Sequence, residues 1–286
     1  MEPEEISIAY GSRQDTTNDE VLEIARLSEA YGYSSFFTGE SWGRDALTLL
    51  TFVACNTITL KLGTGILPIY SRTPSLIAQS IASLDSISGG RAILGLGTSG
   101  KIVIENWHGV EFKNPIANTE AYVAIIRQAL SGQRVDYSSG DFNLRGFRLN
   151  INPVQTEIPI YLASLGPRNL ELTGKVANGW IPIWVHYQHL RNLKNAVESG
   201  SELAGRDPDS VKVCPQILCY MADKSEEREK AKDLIRDHIA YYVGGMGTYY
   251  YNLFCRYGYK SESDKVREAW ARNDRGKAAR LISDEM

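Results

Sequence analysis

Short apolar runs alternate with longer amphipathic runs along this chain, and that alternation constrains its fold more than any other feature. Seven apolar runs are typical of strands, and they lie at 6–10, 34–38, 61–69, 92–96, 158–163, 180–185 and 211–221. The predicted helices between them lie at 18–31, 45–55, 75–87, 118–130, 167–177 and 190–203. Strand–helix alternation at this spacing indicates parallel strands joined by crossover helices, and strands without polar alternation indicate a sheet covered on both faces.

Two α/β architectures share this pattern, the TIM (β/α)8-type barrel and the doubly wound open sheet. The 286 residues suit one barrel, which typically needs about 250. The first strand is not followed by the GxGxxG pattern of dinucleotide-binding sheets, so we favour the barrel. We expect a single domain over 1–286, with a hairpin-like excursion at 136–152 and a helical region at 222–286. No eighth strand is evident, which leaves closure of the barrel open.

Composition narrows the classes of function. The formal net charge is −3 and no basic run stands out, which argues against a nucleic-acid partner. The apolar runs are far shorter than the roughly 20 residues of a membrane span, so no membrane partner is expected. The four cysteines show no CxxC spacing and indicate a reducing compartment. We therefore predict a cytoplasmic protein that acts on a small molecule.

In a parallel barrel the functional residues lie in the loops that follow the strands. After the second strand come Glu40, Ser41 and Trp42. Glu40 could orient substrate or move a proton, while Trp42 could stack on a ring and Ser41 could contact the same substrate. The alternative is a structural carboxylate that pairs with a nearby arginine such as Arg44.

Three glycine-containing segments indicate where a coenzyme could lie. Glycine at 63–65 inside the third strand is typical of a bulge or of a close approach between backbone and ligand. Segment 95–100 after the fourth strand could cradle an anion or a flat coenzyme. Segment 164–169 after the fifth strand starts a helix with Gly166 and Pro167, which leaves helix N–H groups free for a phosphate beside Arg168.

Histidines and tyrosines supply weaker signals. Glu105 and His108 lie just beyond the fourth-strand loop, where His108 could titrate near neutral pH or be a hydrogen-bonded rim residue. His186 and His189 form an HxxH without an apparent third ligand, so no metal site is predicted. Tyrosines at helical spacing in 241–259 indicate core packing or a dimer interface more than a stacking platform.

Several segments resemble one known family. The chain is similar to the bacterial-luciferase-like superfamily and, within it, to oxidoreductases that use the deazaflavin coenzyme F420 and are related to methylene-tetrahydromethanopterin reductase. The matching segments are LKLGTGILPIYSRTPSLIAQSIASLDSISGGRAILGLGTSG, IENWHGVEFKNPIANTEAYVAIIRQAL, PIYLASLGPRNLELTGKVANGWIP and YYVGGMGTYYYNLFCRYGY. They are specific for the superfamily and less specific for the coenzyme, because enzymes that use flavin mononucleotide (FMN) share the barrel and many loops.

The resemblance implies a role for each loop. A non-prolyl cis peptide at Gly65–Ile66 would back the deazaflavin ring. The coenzyme's ring and side chain would be lined by Thr98, Ser99 and Gly100, and its phosphate would be held by the segment from Ser164 through Gly166, Pro167 and Arg168. Glu40 occupies the acidic position after the second strand. Some relatives carry His directly after that acid, whereas this chain has Ser41 and so lacks one proton donor.

The implied reaction is hydride transfer between F420 and a small organic substrate, with Glu40, Glu105 and His108 as candidates for catalysis. One alternative is a two-component monooxygenase that uses reduced FMN and oxygen. Another is a barrel that has lost catalysis and serves as a binding or assembly subunit, an alternative that the absent eighth strand supports. A homodimer is expected from the resemblance only. The loops that select the substrate carry no readable code.

Overall fold

The computed structural model describes residues 5–11 and 16–286. Its parallel sheet contains β1 (Ser7–Tyr10), β2 (Ser35–Thr38), β3 (Lys61–Thr64), β4 (Leu67–Pro68), β5 (Ala92–Gly97), β8 (Ile160–Leu162), β9 (Gly179–Trp180) and β10 (Lys212–Val213). A separate hairpin comprises β6 (Arg134–Ser139) and β7 (Phe142–Arg148). The helices are α1 (Asn18–Ala30), α2 (Ala46–Ala54), α3 (Pro74–Ser88), α4 (Pro115–Leu130), α5 (Pro167–Val176), α6 (Leu190–Leu203), α7 (Ser225–Gly245), α8 (Tyr249–Arg256), α9 (Lys260–Ala271) and α10 (Arg275–Arg280).

The sheet is parallel throughout and follows the order β1-β2-β3-β5-β8-β9-β10, with β4 also paired to β5. Counting β3 and β4 as two segments of one strand, it occupies the seven predicted positions. It is curled, because Phe37 on β2 stacks against Tyr161 on β8 at 6.4 Å between ring centroids. In the described ranges β1 and β10 do not pair, so the fold is a half-barrel of the predicted α/β class, open on one side.

Three strands differ from their predictions. The strand predicted at 61–69 is interrupted at Gly65–Ile66, and the strand predicted at 180–185 is reduced to β9. The strand predicted at 211–221 shrinks to β10, with one further bridge between Ile183 and Gln216. Side chains from Ile217 to Met221 are exposed. The apolar composition of that run predicted a strand, but a strand also requires a paired neighbour, and here the pairing ends at Gln216.

Helix ends follow the local sequence closely. Thr73 caps α3 by accepting from the Leu76 N–H, Pro74 occupies its first turn, and Gly89 ends it in the left-handed conformation at φ +71°. These are the residue types that helix starts and ends favour. Helices α2 to α4 pack the outer face of the sheet and bury Leu50, Ile81 and their neighbours. The strands are thereby fixed, and their C-terminal ends meet at one edge.

Two segments lie outside this core. The excursion expected at 136–152 is the antiparallel β6–β7 hairpin, which starts two residues earlier than predicted. Beyond residue 224, α7 to α10 enclose a second apolar core that includes Val243, Phe254 and Val266. Among the described residues, none of the helices has both the length and the apolar content that crossing a bilayer demands.

Candidate active site

The site lies at the C-terminal ends of β2, β3, β5 and β8. The Gly65–Ile66 peptide bond is cis, as the resemblance implied. The backbone around it is tied to β2, because the Gly65 N–H donates to the Thr38 carbonyl at 2.7 Å and the Glu40 N–H donates to the Ile66 carbonyl at 3.1 Å. The bulge is therefore held against the loop that carries Glu40.

Close backbone packing between β3 and β5 forms the base of the site. A Cβ at Gly95 would lie 1.9 Å from the Thr64 carbonyl oxygen, so only glycine fits there. The Thr64 hydroxyl joins the two strands by donating to the Gly95 carbonyl at 2.7 Å and accepting from the Gly95 N–H at 2.9 Å. Ile66 extends over this layer, with its Cδ1 3.0 Å from where a Gly97 Cβ would be. The result is a flat apolar platform beside the β5 loop.

Glu40 is paired with an arginine that the sequence did not indicate. Its carboxylate accepts from Arg72 Nη1 at 2.5 Å and Nη2 at 2.9 Å, and from the Ala46 N–H at 3.0 Å. The Glu40 side chain is 9% exposed. The hydrogen bond that Arg72 donates to Glu40 raises the pKa of Arg72, whose guanidinium also pairs with Asp45. The pair fixes the orientation of the Glu40 carboxylate.

The suggestion that Glu40 would pair with Arg44 was wrong. It donates instead to the Asn18 side chain and the Thr16 carbonyl, each at 2.5 Å. Arg72 immediately precedes the Thr73 cap of α3, so the start of that helix presents the guanidinium to Glu40. Ser41 and Trp42 lie in the exposed loop between these groups, and Trp42 is 51% exposed. An exposed indole beside a buried carboxylate can take part in binding a substrate from solvent.

The β5 loop lies beneath the turn between α7 and α8. Ser99 adopts the left-handed conformation at φ +57°, and Gly100 is buried under Met246, whose Cε lies 3.5 Å from where a Gly100 Cβ would be. The Thr98 hydroxyl donates to the Ser99 carbonyl at 3.3 Å, and burial raises the pKa of the nearby Tyr249. The sequence singled out Thr98, Ser99 and Gly100 but not Met246 or Tyr249. The glycine break at 244–247 was the available signal for a turn at that place.

Glu105 and His108 follow on a short π-helix, Val103–Trp107. Glu105 faces its own segment, because it accepts from the Phe112 N–H at 3.3 Å and pairs with Lys101 at 3.7 Å. His108 differs, since its Nε2 is buried with no hydrogen-bond partner in the described part of the chain. A buried polar atom left unpaired is uncommon, and this distinguishes His108 from Glu105.

The first turn of α5 forms the predicted phosphate position. Gly166 is its N-cap and Pro167 opens the helix, and a Cβ at Gly166 would meet nothing within 4 Å. Arg168 is exposed and has no ion pair in the ranges that the structure describes. Pro167 has no N–H and the Asn169 N–H donates to the Gly166 carbonyl at 3.0 Å, so the N–H and the guanidinium of Arg168 are the donors in this turn that suit a phosphate. The residues present therefore fit a flat, phosphorylated coenzyme.

Ser164 does not contribute its hydroxyl to that position. It is 1% exposed and lies 2.7 Å from the Thr173 hydroxyl. Thr173 donates its own hydrogen to the Asn169 carbonyl, so Ser164 must be the donor to Thr173. The Ser164 carbonyl also accepts from the Trp180 indole at 2.9 Å. The hydroxyl and the carbonyl of Ser164 thus form hydrogen bonds that join β8, α5 and β9.

His186 and His189 lie at the rim after β9. The His189 ring stacks on Tyr257 at 4.5 Å between centroids, and His186 Nε2 lies 3.2 Å from the Glu285 carbonyl oxygen. Across the described residues no three histidine, cysteine or acidic side chains converge as metal ligands would. Both rings take part in an aromatic layer between α6 and α8.

Known proteins share both the sequence pattern and the fold. The family model described as luciferase-like monooxygenase matches residues 5–286. A Mycobacterium tuberculosis protein whose name calls it a coenzyme F420-dependent oxidoreductase is 29% identical over 98% of this chain and 85% of its own length. The 5,10-methylenetetrahydromethanopterin reductase of Methanolobus tindarius is 34% identical over 80% of this chain and 69% of its own.

The same similarity appears in three dimensions. The solved structure of the coenzyme F420-dependent tetrahydromethanopterin reductase from Methanopyrus kandleri superimposes with a TM-score of 0.84 at 25% identity, covering 98% of this chain and 83% of that one. The family match extends over the whole described sheet and all four loops of the site. The chain therefore belongs to the luciferase-like monooxygenase family and is an enzyme of that superfamily.

Proposed function

We propose that this enzyme transfers a hydride between coenzyme F420 and a small organic substrate. The observation that carries the proposal is the close packing of Thr64, Ile66 and Gly95, which forms an apolar layer near the first turn of α5. A relative and a solved structure that are both named for F420 add support, since each matches 98% of this chain. Deazaflavin carries hydrides rather than single electrons and supplies that chemistry when bound.

The chain's own residues would position the coenzyme. Gly65 and Ile66 shield one face of the ring and leave the other for substrate. Thr98, Ser99 and Gly100 would line its edge, with the Thr98 hydroxyl held by the Ser99 carbonyl. Gly166 and Pro167 open the helix, and the N–H and guanidinium of Arg168 would contact the phosphate and neutralise its charge. Ser164 is not among these contacts, because its hydroxyl is used within the fold.

On the substrate side, Glu40 orients rather than donates a proton. Arg72 and the Ala46 N–H contact both carboxylate oxygens, which fixes the Glu40 side chain beside the loop that carries Ser41 and Trp42. His108, with its unpaired ring nitrogen, is the better candidate for moving a proton, and Glu105 is secondary.

Anaerobic spectroscopy tests the reaction. The absorbance of reduced and oxidised F420 would be followed with the purified chain and a panel of pterins, alcohols and sugars. We expect protein-dependent oxidation or reduction of F420 with at least one class, unaffected by oxygen. A protein that leaves F420 unchanged with every class but consumes oxygen with reduced FMN would be the monooxygenase that the family description also allows. A protein active in neither assay would be the non-catalytic subunit.

A further inference from the structure

A shallow cavity of about 210 Å³ lies between the first turns of α5 and α6, beside the predicted phosphate position. Leu165 and Pro167 from the start of α5 form one wall, and leucine side chains form the base. Its polar groups are His189, Asn192 and Arg256. None of these three belongs to the coenzyme contacts described above. The cavity is therefore a separate pocket that adjoins the site through residues 165–167.

The lining of this cavity carries positive charge and no negative charge. Arg256 donates one N–H to the Leu165 carbonyl at 2.8 Å and makes no ion pair in the part of the chain that the structure describes. A guanidinium has five N–H donors, so the others remain for a ligand. No acidic side chain lines the cavity. By contrast, a cavity of about 340 Å³ between α9 and α10 contains Glu268 and Asp274 beside its cations, so it has no such preference.

The other polar groups are held in place. His189 stacks on Tyr257 at 4.5 Å and 22°, which fixes its ring at the mouth of the cavity. Asn192 lies in the first turn of α6, which begins at Leu190. The starts of α5 and α6 both adjoin the cavity, and the dipoles of the two helices add positive potential to that of Arg256. A carboxylate with a short aliphatic stem would satisfy both the charge and the apolar base.

We infer that this cavity binds the first carboxylates of the F420 tail. The inference rests on the proposed function, because a coenzyme phosphate at Gly166 places the next part of the molecule beside Leu165 and Pro167. F420 continues beyond its phosphate into a chain of glutamates, whereas FMN ends at its phosphate. Arg256, with His189 and Asn192, thus contributes a contact that only the longer coenzyme can make.

Binding titrations with two forms of the coenzyme test this assignment. The intrinsic fluorescence of F420 carrying several glutamates, and of the form carrying none, would be titrated with the purified full chain. We expect the tail to tighten binding about tenfold, in line with a charged hydrogen bond to arginine. In Arg256→Met the two forms should bind equally, and Arg256→Lys should restore part of the difference. Arg272→Met, at an exposed arginine that forms the C-cap of α9, is the matched control.

The comparison between coenzyme forms separates the possible failures. If Arg256 only supports the Leu165 carbonyl, its loss weakens both forms equally and the inference is wrong. If wild type binds both forms equally, the cavity does not hold the tail. If succinate binds beside the tail-free form and needs Arg256, the pocket belongs to a substrate carboxylate instead. Failure to bind either form would contradict the proposed function itself.

Discussion

Single residues show how far the sequence indicated the candidate site. Glu40 and the 98–100 loop were singled out from their positions after strands and Gly65 from its position inside one, because those positions depend only on the order of elements. Arg72 was not found, since its partner lies 32 residues away and the pairing exists only once α3 packs beside β2. The nearer Arg44 was the reasonable expectation from sequence distance, and the fold directs it to Asn18 instead.

The Glu40–Arg72 pair gives a stability prediction. Arg72→Met leaves a 9%-exposed carboxylate without its cation, and breaking a buried pair in this way costs about 3 kcal/mol. We expect urea unfolding to show that loss of stability. Arg145→Met, on the exposed hairpin where Arg145 donates to the neighbouring Asn143 side chain, should change stability by less than about 0.5 kcal/mol. Equal effects for the two variants would mean that the Glu40 pair is not buried in solution.

Glycine at 95 gives a second prediction. An added Cβ would lie 1.9 Å from the Thr64 carbonyl oxygen, so Gly95→Ala must force β3 and β5 apart. We expect it to destabilise the fold by more than about 2 kcal/mol in thermal unfolding, because overpacking a buried sheet displaces backbone. The same substitution at Gly276, within α10, should be neutral or stabilising, since alanine suits a helix better. A stable Gly95→Ala variant would contradict the close packing of the platform.

Among the elements, helices were predicted better than strands. The bounds 190–203 for α6 were predicted without error, and α3 and α5 differ from theirs by one residue at one end or both. Their caps are local, so the sequence beside each end determines it. The strand expected at 211–221 failed for the opposite reason, because a strand depends on partners elsewhere in the chain, and here they end at Gln216.

His238 on helix α7 gives a prediction about how the stability of the fold depends on pH. Burial lowers the pKa of His238, whose ring lies against Trp184 and Tyr242 at 5.3 and 5.0 Å. The unfolded chain therefore binds the proton more readily than the folded chain. The contribution of His238 to stability is fully present above its unfolded pKa of about 6.5, and it is lost as the pH falls through its folded pKa. One proton limits the slope to about 1.4 kcal/mol per pH unit. Urea titrations at pH 5 to 8 should show His238→Phe flattening this slope, and an unchanged slope would place the titration elsewhere.

For the molecule as a whole, the number of strands could be read from the sequence, but their curvature could not. Hydrophobic runs indicate how many strands exist, whereas the curl arises from contacts across the sheet such as Phe37 with Tyr161. Glu5, just before β1, lies 3.8 Å from Lys61 on β3 and 3.9 Å from Lys212 on β10, which brings the two edges of the open side towards each other. The homodimer expected from the family resemblance stays a prediction.

The F420 site is tested most directly by fluorescence titration of the purified full chain with oxidised F420 and, separately, with FMN. The platform at Gly65–Ile66 and the α5 start should bind F420 in the micromolar range, with FMN at least about tenfold weaker. Removing Arg168 as Arg168→Met should weaken F420 binding about tenfold, as expected for a lost charged hydrogen bond to phosphate. Tighter binding of FMN than of F420, or no binding of F420, would contradict the assignment of this site to a deazaflavin.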